Sequence, residues 1–162
     1  MDEKLKDLIF KAGLSPVYKQ RLLMQLSQMH IDEPVGYFLN ESLENRNPED
    51  VECALMLGFV AGFSTSQAVI LCLLLDEMWH HKHEDIVEVL SDLRAEVSTD
   101  SLMRAATRKL SYLDYNDSQS LNSKAMWALL KVGDRGISQL EKLKNHCDPW
   151  ISSEATKIAS HI

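Results

Sequence analysis

His80, His81 and His83, with Asp76, Glu77, Glu84 and Asp85 around them, form the densest group of chemically capable side chains in this sequence. Imidazole and carboxylate groups ligate transition metals and carry general acid–base chemistry. His80 and Glu84 stand four residues apart, a spacing that sets two ligands on one helical face. Consecutive histidines, however, point in different directions, and zinc needs three or four converging donors. The cluster is therefore read as the polar end of a helix closing near His81, where imidazoles favour the C-terminal dipole. No metal site, cofactor or catalytic residue is assigned. The sequence contains no GxSxG, HExxH, P-loop or GxGxxG pattern. Cys53, Cys72 and Cys147 form no CxxC pair, and Cys53 and Cys72 lie in apolar runs. They are expected to be buried thiols in a reduced, disulfide-free, cytoplasmic protein.

Charge is the stronger lead. Residues 32–96 hold 14 acidic and 3 basic side chains, a balance of −11, while residues 1–31 and 97–162 each stand at +2. The whole chain is at −7, which disfavours nucleic acid as a partner, because phosphate neutralisation dominates that affinity. Asp85, Glu88 and Asp92 follow the i, i+3, i+7 spacing of one helical face, Glu96 lies near the same line, and only Arg94 is nearby to offset them. A solvated face that aids solubility is one reading. The other is a surface for a basic protein, where complementary charge speeds association and excludes wrong partners. On the second reading Asp76, Glu77, Trp79, His80, Asp85, Glu88, Asp92 and Glu96 form the partner-binding set, with Trp79 as an exposed anchor. Trp127 and Trp150 are expected to pack between helices.

The elements that must position these residues are helical. Hairpin dipeptides and period-two alternation are absent, and apolar residues recur at helical spacing throughout. Leu5, Leu8, Ile9 and Ala12 line a first helix ended by Gly13. Ser15-Pro16, Glu33-Pro34, Asn47-Pro48 and Asp148-Pro149 mark starts with proline at the first helical position. The run from Cys53 to Leu75 is apolar except for residues 64–67, where Ser64 and Gln67 make a capping-box pattern. It is read as two buried core helices and not as a membrane span, the second reaching from Ser64 to about His81. Helices are further expected near 83–94, 99–113, 118–132, 134–145 and from 149 onward, about ten in a single all-α domain over residues 1–162. The opening Met1–Asp7 has no basic start followed by an apolar stretch, so no secretory signal is expected.

Asp117 and Asp148 each precede a helix with small residues on its packing face, and they lie 31 residues apart. Between them stand Ala125-Met126-Trp127-Ala128-Leu129, the turn Val132-Gly133-Asp134, and the spaced Ile137, Leu140 and Leu143. This run resembles a HEAT repeat: an alanine-rich first helix, a Val-Gly-Asp turn, a second helix with spaced Leu and Ile, and an Asp-Pro opening of the next unit. The resemblance implies a HEAT/ARM-like α-solenoid of antiparallel helical hairpins, clearest over residues 118–162. Ser152 and Ser153 stand where the family usually has Arg or Lys, which suits a C-terminal capping helix. A small, acidic, motif-free helical chain is also similar to immunity proteins of bacterial contact-dependent growth inhibition systems. That similarity implies a non-enzymatic monomer bound one-to-one to a basic, nuclease-type toxin domain, away from membranes and nucleic acid. A HEAT-like scaffold or adaptor is the alternative. A HEAT-like DNA glycosylase would need a basic concave face, which the acidic middle third opposes.

Overall fold

Three helices of the N-terminal unit begin where proline follows a polar residue. Proline lacks the N–H that a first helical turn leaves unsatisfied, and its fixed φ suits the first turn. Helix α1 spans Glu3–Leu14, α2 Pro16–Gln28, α3 Pro34–Asn45 and α4 Pro48–Ala61. Asp2 accepts a hydrogen bond from the Leu5 N–H at 2.9 Å, and Asn47 accepts from Glu49 and Asp50. These bonds satisfy donors that the helix itself leaves open. Gly13 lies inside α1; the helix ends one residue later, where Ser15 turns extended. Helix α1 packs on α2 and α4, and α3 on α4, closing a core of Leu5, Ile9, Leu22, Leu39, Val51 and Leu55. Lys6 pairs with the buried Asp50 at 3.0 Å.

The structure, a computed structural model, describes residues 1–116 and 118–162. Asp117, one of the two aspartates on which the repeat spacing rests, lies outside the described residues. The chain packs as two compact units, Met1–Ile70 and Leu71–Ile162. The division falls within helix α5, Ala68–Asp76.

The Ser64–Gln67 capping box forms as expected, with the Ser64 N–H donating to Gln67 Oε1 at 2.6 Å. It opens a 3₁₀ turn, Thr65–Gln67, that leads into α5. The expected continuation to His81 does not occur, for a tertiary reason. Helical carbonyls near the end of α5 are taken by side chains from beyond it. The Leu74 carbonyl oxygen lies 2.9 Å from His80 Nε2, and Leu75 O accepts from Arg108 at 2.7 Å. A helix end needs such partners, and here they arrive from further along the chain.

In the second unit α6 spans His83–Leu93, α7 Thr99–Ala105, α8 Gln119–Val132, α9 Asp134–Leu143 and α10 Pro149–Ala159. Short 3₁₀ turns cover Glu96–Ser98 and Ser111–Asn116. Ten α-helices and no strand are found among the described residues. The single helix expected over 99–113 is broken after Ala105. Asn122 of α8 donates to the carbonyls of Ala105 and Arg108, and Ser118 Oγ accepts the Leu110 N–H at 2.8 Å. Helix α8 is the centre of this unit, touched by α6, α7, α9 and α10. Its Leu121, Ala125, Met126, Ala128 and Leu129 are all buried. Alanines at the packing face let these neighbours approach closely. Gly133, at φ +100°, makes the turn into α9. No helix among the described residues is long and apolar enough to cross a membrane.

Candidate functional site

The three histidines are a structural joint. His80 and His83 are buried, at 1% and 0% exposure, and their rings stack with centroids 4.5 Å apart. His80 Nδ1 accepts the Lys82 N–H at 3.1 Å, so its other nitrogen carries the proton donated to Leu74 O. His83 Nε2 donates to the Glu77 carbonyl at 2.7 Å, and its Nδ1 accepts from the Tyr112 hydroxyl at 2.9 Å. Each ring is thus a neutral imidazole with both nitrogens engaged. Burial pushes His80 below its ordinary value and His83 down to about 4, and it raises the Tyr112 hydroxyl to about 12. His81 alone is exposed, stacked on Tyr112 at 4.3 Å. No group of three or more His, Cys, Asp or Glu among the described residues is placed to hold a metal ion.

Two members of the expected partner-binding set are engaged inside their own unit. His80 faces the interior, bonded to the end of α5, and offers no surface to a partner. Asp76 is committed within its own unit. It takes two bonds from Arg104, Nε at 2.9 Å and Nη2 at 2.5 Å, one from Ser101 at 3.0 Å and one from Arg108 at 3.0 Å. Partial burial alone would raise its carboxyl, but Arg104, Ser101 and Arg108 together hold it below its usual value. Replacing Asp76 with Ala leaves two guanidinium groups facing each other without their carboxylate. A loss of about 2 kcal/mol is expected, read from the urea midpoint, since charged hydrogen bonds contribute ~1.5–3 kcal/mol each and this one is partly solvated. An unchanged midpoint would show that solvent already screens the cluster.

The remaining predicted residues lie on or beside α6. Glu88, Asp92 and Glu96 are exposed, while Glu77, Trp79 and Asp85 are half-buried. Trp79 sits edge-on to His80, with centroids 5.1 Å apart. Asp85 stands 3.8 Å from Lys82. The acidic face does not stand alone, because α8 lays cations along it. Lys131 reaches Asp92 at 3.7 Å, and Lys124 reaches Glu84 at 4.0 Å, where Ser120 also donates to the Glu84 carboxylate. The acidic stretch along residues 32–96 is shared between the two units. Unit Met1–Ile70 holds 10 acidic against 6 basic side chains, and Leu71–Ile162 holds 14 against 11.

Between α6 and α8 runs an open groove of about 300 Å³, lined by Val87, Glu88, Ser91, Lys124, Trp127 and Lys131. Trp127, expected in the interior, is exposed here, its ring 5.1 Å from that of His161. The signal for it was present in the sequence: Lys124, Trp127 and Lys131 stand at i, i+3 and i+7, one face of α8. Of the two cysteines expected to be buried, Cys72 is and Cys53 is only partly so; Cys147 is exposed. Burial raises the Cys53 and Cys72 thiols, away from nucleophilic use. No protein-family model, curated protein or solved structure matches this chain.

Proposed function

We propose that this protein is a non-enzymatic protein-binding module whose contact surface is the rim of the α6–α8 groove. The carrying observation is the exposed Trp127 in that groove, with Glu88 on one wall and Lys124 and Lys131 on the other. Tryptophan supplies a large rigid contact area with a polar N–H and dominates binding hot spots. Glu88 and Asp92, one turn apart on the exposed face of α6, and the exposed Glu96 beyond it supply carboxylates for a cationic partner, Asp92 being shared with Lys131. In this reading Trp127, Glu88, Asp92 and Glu96 make the main contacts, with Asp85 and Trp79 at the periphery. Asp76 and His80 support the surface from within.

The finer proposal is an immunity protein covering the basic active site or substrate groove of a nuclease-type toxin. The acidity of the α6 margin supports it, as does the overall charge of −7 on a chain of 162 residues. The HEAT-like arrangement of residues 118–162 belongs to the same proposal. It is supported by the α8–α9 hairpin turning at Gly133 and by α10 packing on both helices.

Co-expression with the product of the neighbouring gene tests the function. A one-to-one complex is expected, weakened at least about tenfold by Trp127→Ala and by the combined Glu88→Lys, Asp92→Lys and Glu96→Lys changes. Circular dichroism checks that each variant remains folded. If no complex forms, or if these variants bind with unchanged affinity and salt dependence, the proposal fails. Measurable affinity for duplex DNA at low salt would favour a nucleic-acid enzyme instead.

A further inference from the structure

The N-terminal unit carries a second candidate surface, of opposite sign and independent of the α6–α8 groove. Helix α2 has 13 residues and buries only Leu22 and Leu26. From Leu8 to Ile31 the sequence contains no acidic residue, while Lys11, Lys19 and Arg21 are all present. A groove of about 390 Å³ runs between α1 and α2, where Lys4, Asp7 and Lys11 face Tyr18, Arg21 and Gln25. Asp7 is its single carboxylate and is taken by Lys11 at 2.5 Å. Lys4, Lys19 and Arg21 make no ion pair among the described residues.

Apolar side chains adjoin this cationic groove. Leu14 is three residues from Lys11, Phe10 three from Asp7, and Val17 and Met24 are four and three from Arg21, so each is a surface neighbour on its helix. Leu14 is 74% exposed and Val17 72%, and Phe10 and Met24 are both more than half exposed. Isolated exposed apolar residues are ordinary, but here Phe10 and Leu14 on α1 and Val17 and Met24 on α2 flank the groove residues of both helices.

We propose that the α1–α2 face docks an acidic amphipathic segment of a partner protein, its carboxylates in the groove and its apolar side chains on Phe10, Leu14, Val17 and Met24. Charge complementarity selects the occupant. In the groove Lys4 and Arg21 are unpaired among the described residues and Lys11 shares Asp7, a net excess of two positive charges that favours an anionic rod and repels a basic one. The groove is concave and holds its cations between two helices. That shape fits a helix laid along it better than a flat bilayer, which would want the cations on one open face opposite the apolar one.

The test uses a fluorescein-labelled helical peptide with a leucine seam flanked by glutamates, and the same peptide with glutamine at the glutamate positions. Binding of the glutamate peptide is expected in the micromolar range, with amide shift changes confined to α1 and α2. It should weaken at least about tenfold from 50 to 300 mM salt, and by a similar factor in Lys11→Glu/Arg21→Glu. The milder Lys11→Gln/Arg21→Gln variant should lose part of that affinity with an unchanged circular dichroism spectrum, and the glutamine peptide should bind poorly. No binding at about 1 mM peptide overturns the proposal, as does equal binding of the two peptides. Stronger binding to phosphatidylserine vesicles overturns it in favour of a membrane. Sedimentation showing a dimer that the charge-reversal variant abolishes overturns it in favour of a second copy of this chain.

Discussion

Between pH 6.5 and about 4 the Leu71–Ile162 unit is expected to lose about 3 kcal/mol of stability through His83 alone. The folded state holds this ring neutral, because protonation would place a charge in a fully buried site, where Nδ1 now accepts from the Tyr112 hydroxyl. In the unfolded chain it titrates near 6.5; in the fold, near 4. A basic group depressed in this way favours the fold fully above the unfolded value. That contribution is lost as the pH falls through the interval, since only the unfolded chain then gains the proton. At about 1.4 kcal/mol per pH unit, the interval corresponds to the stated loss. His80 shifts in the same direction, and Arg108 and His81 add unfavourable positive charge near His83.

Urea midpoints at pH 7, 6, 5 and 4.5 measure the effect, with His83→Gln as the comparison. Glutamine can still donate to the Glu77 carbonyl but takes no proton in this range. The variant should be less stable at pH 7 and should show a flatter decline on acidification. Carboxylates titrate in both proteins, so the difference in slope isolates the ring. Parallel curves would show that His83 is not the group holding the joint closed. Because the joint terminates α5, its opening should also raise hydrogen exchange around residues 74–83 before the rest of the unit unfolds.

Gly136→Ala should cost about 3 kcal/mol or more, despite introducing a better helix former. A β-carbon at this position would fall on the carbonyl oxygen of Leu129 in α8. That atom belongs to the backbone of the helix at the centre of the unit, so no rotamer change relieves the overlap, and α9 would have to slide. The propensity gain of ~1 kcal/mol from glycine to alanine does not offset it. Gly13→Ala is the matched control. Nothing lies within 4 Å of a β-carbon there, and Gly13 sits within α1, so a gain of ~0.5–1 kcal/mol is expected. Gly58→Ala should fall between them, because its β-carbon meets the Phe63 ring, a side chain that can move. Thermal or urea unfolding of the three variants measures the order. Equal effects at Gly136 and Gly13 would mean that α8 and α9 are not held at this close approach.

Much of the helical framework was readable along the chain. Pro16, Pro34, Pro48 and Pro149 each begin a helix, because the rule at an N-terminus is local: a missing donor is harmless where no acceptor precedes it. The apolar stripe of α1 likewise named Leu5, Leu8, Ile9 and Ala12, all of them buried in the core. What failed were the ends decided by distant groups. Periodicity carried α5 toward His81 and the next helix past Ala105. The structure stops both, since His80, Arg108 and Asn122 take the main-chain carbonyls there.

The site divides in the same way. Glu88 and Asp92 could be set on one exposed helical face from their spacing, because i, i+3 and i+4 neighbours follow from the helix alone. That Asp76 is enclosed by Arg104 and Arg108, or that Lys124 and Lys131 run along the acidic helix, depends on contacts 28 to 40 residues apart in sequence. The sequence by itself determined the helical class, most of the helix starts and the faces of individual helices, which are short-range properties of backbone sterics and periodicity. Tertiary structure decided which charges remain available to a partner, for a Coulomb interaction depends on distance in space and not on order along the chain.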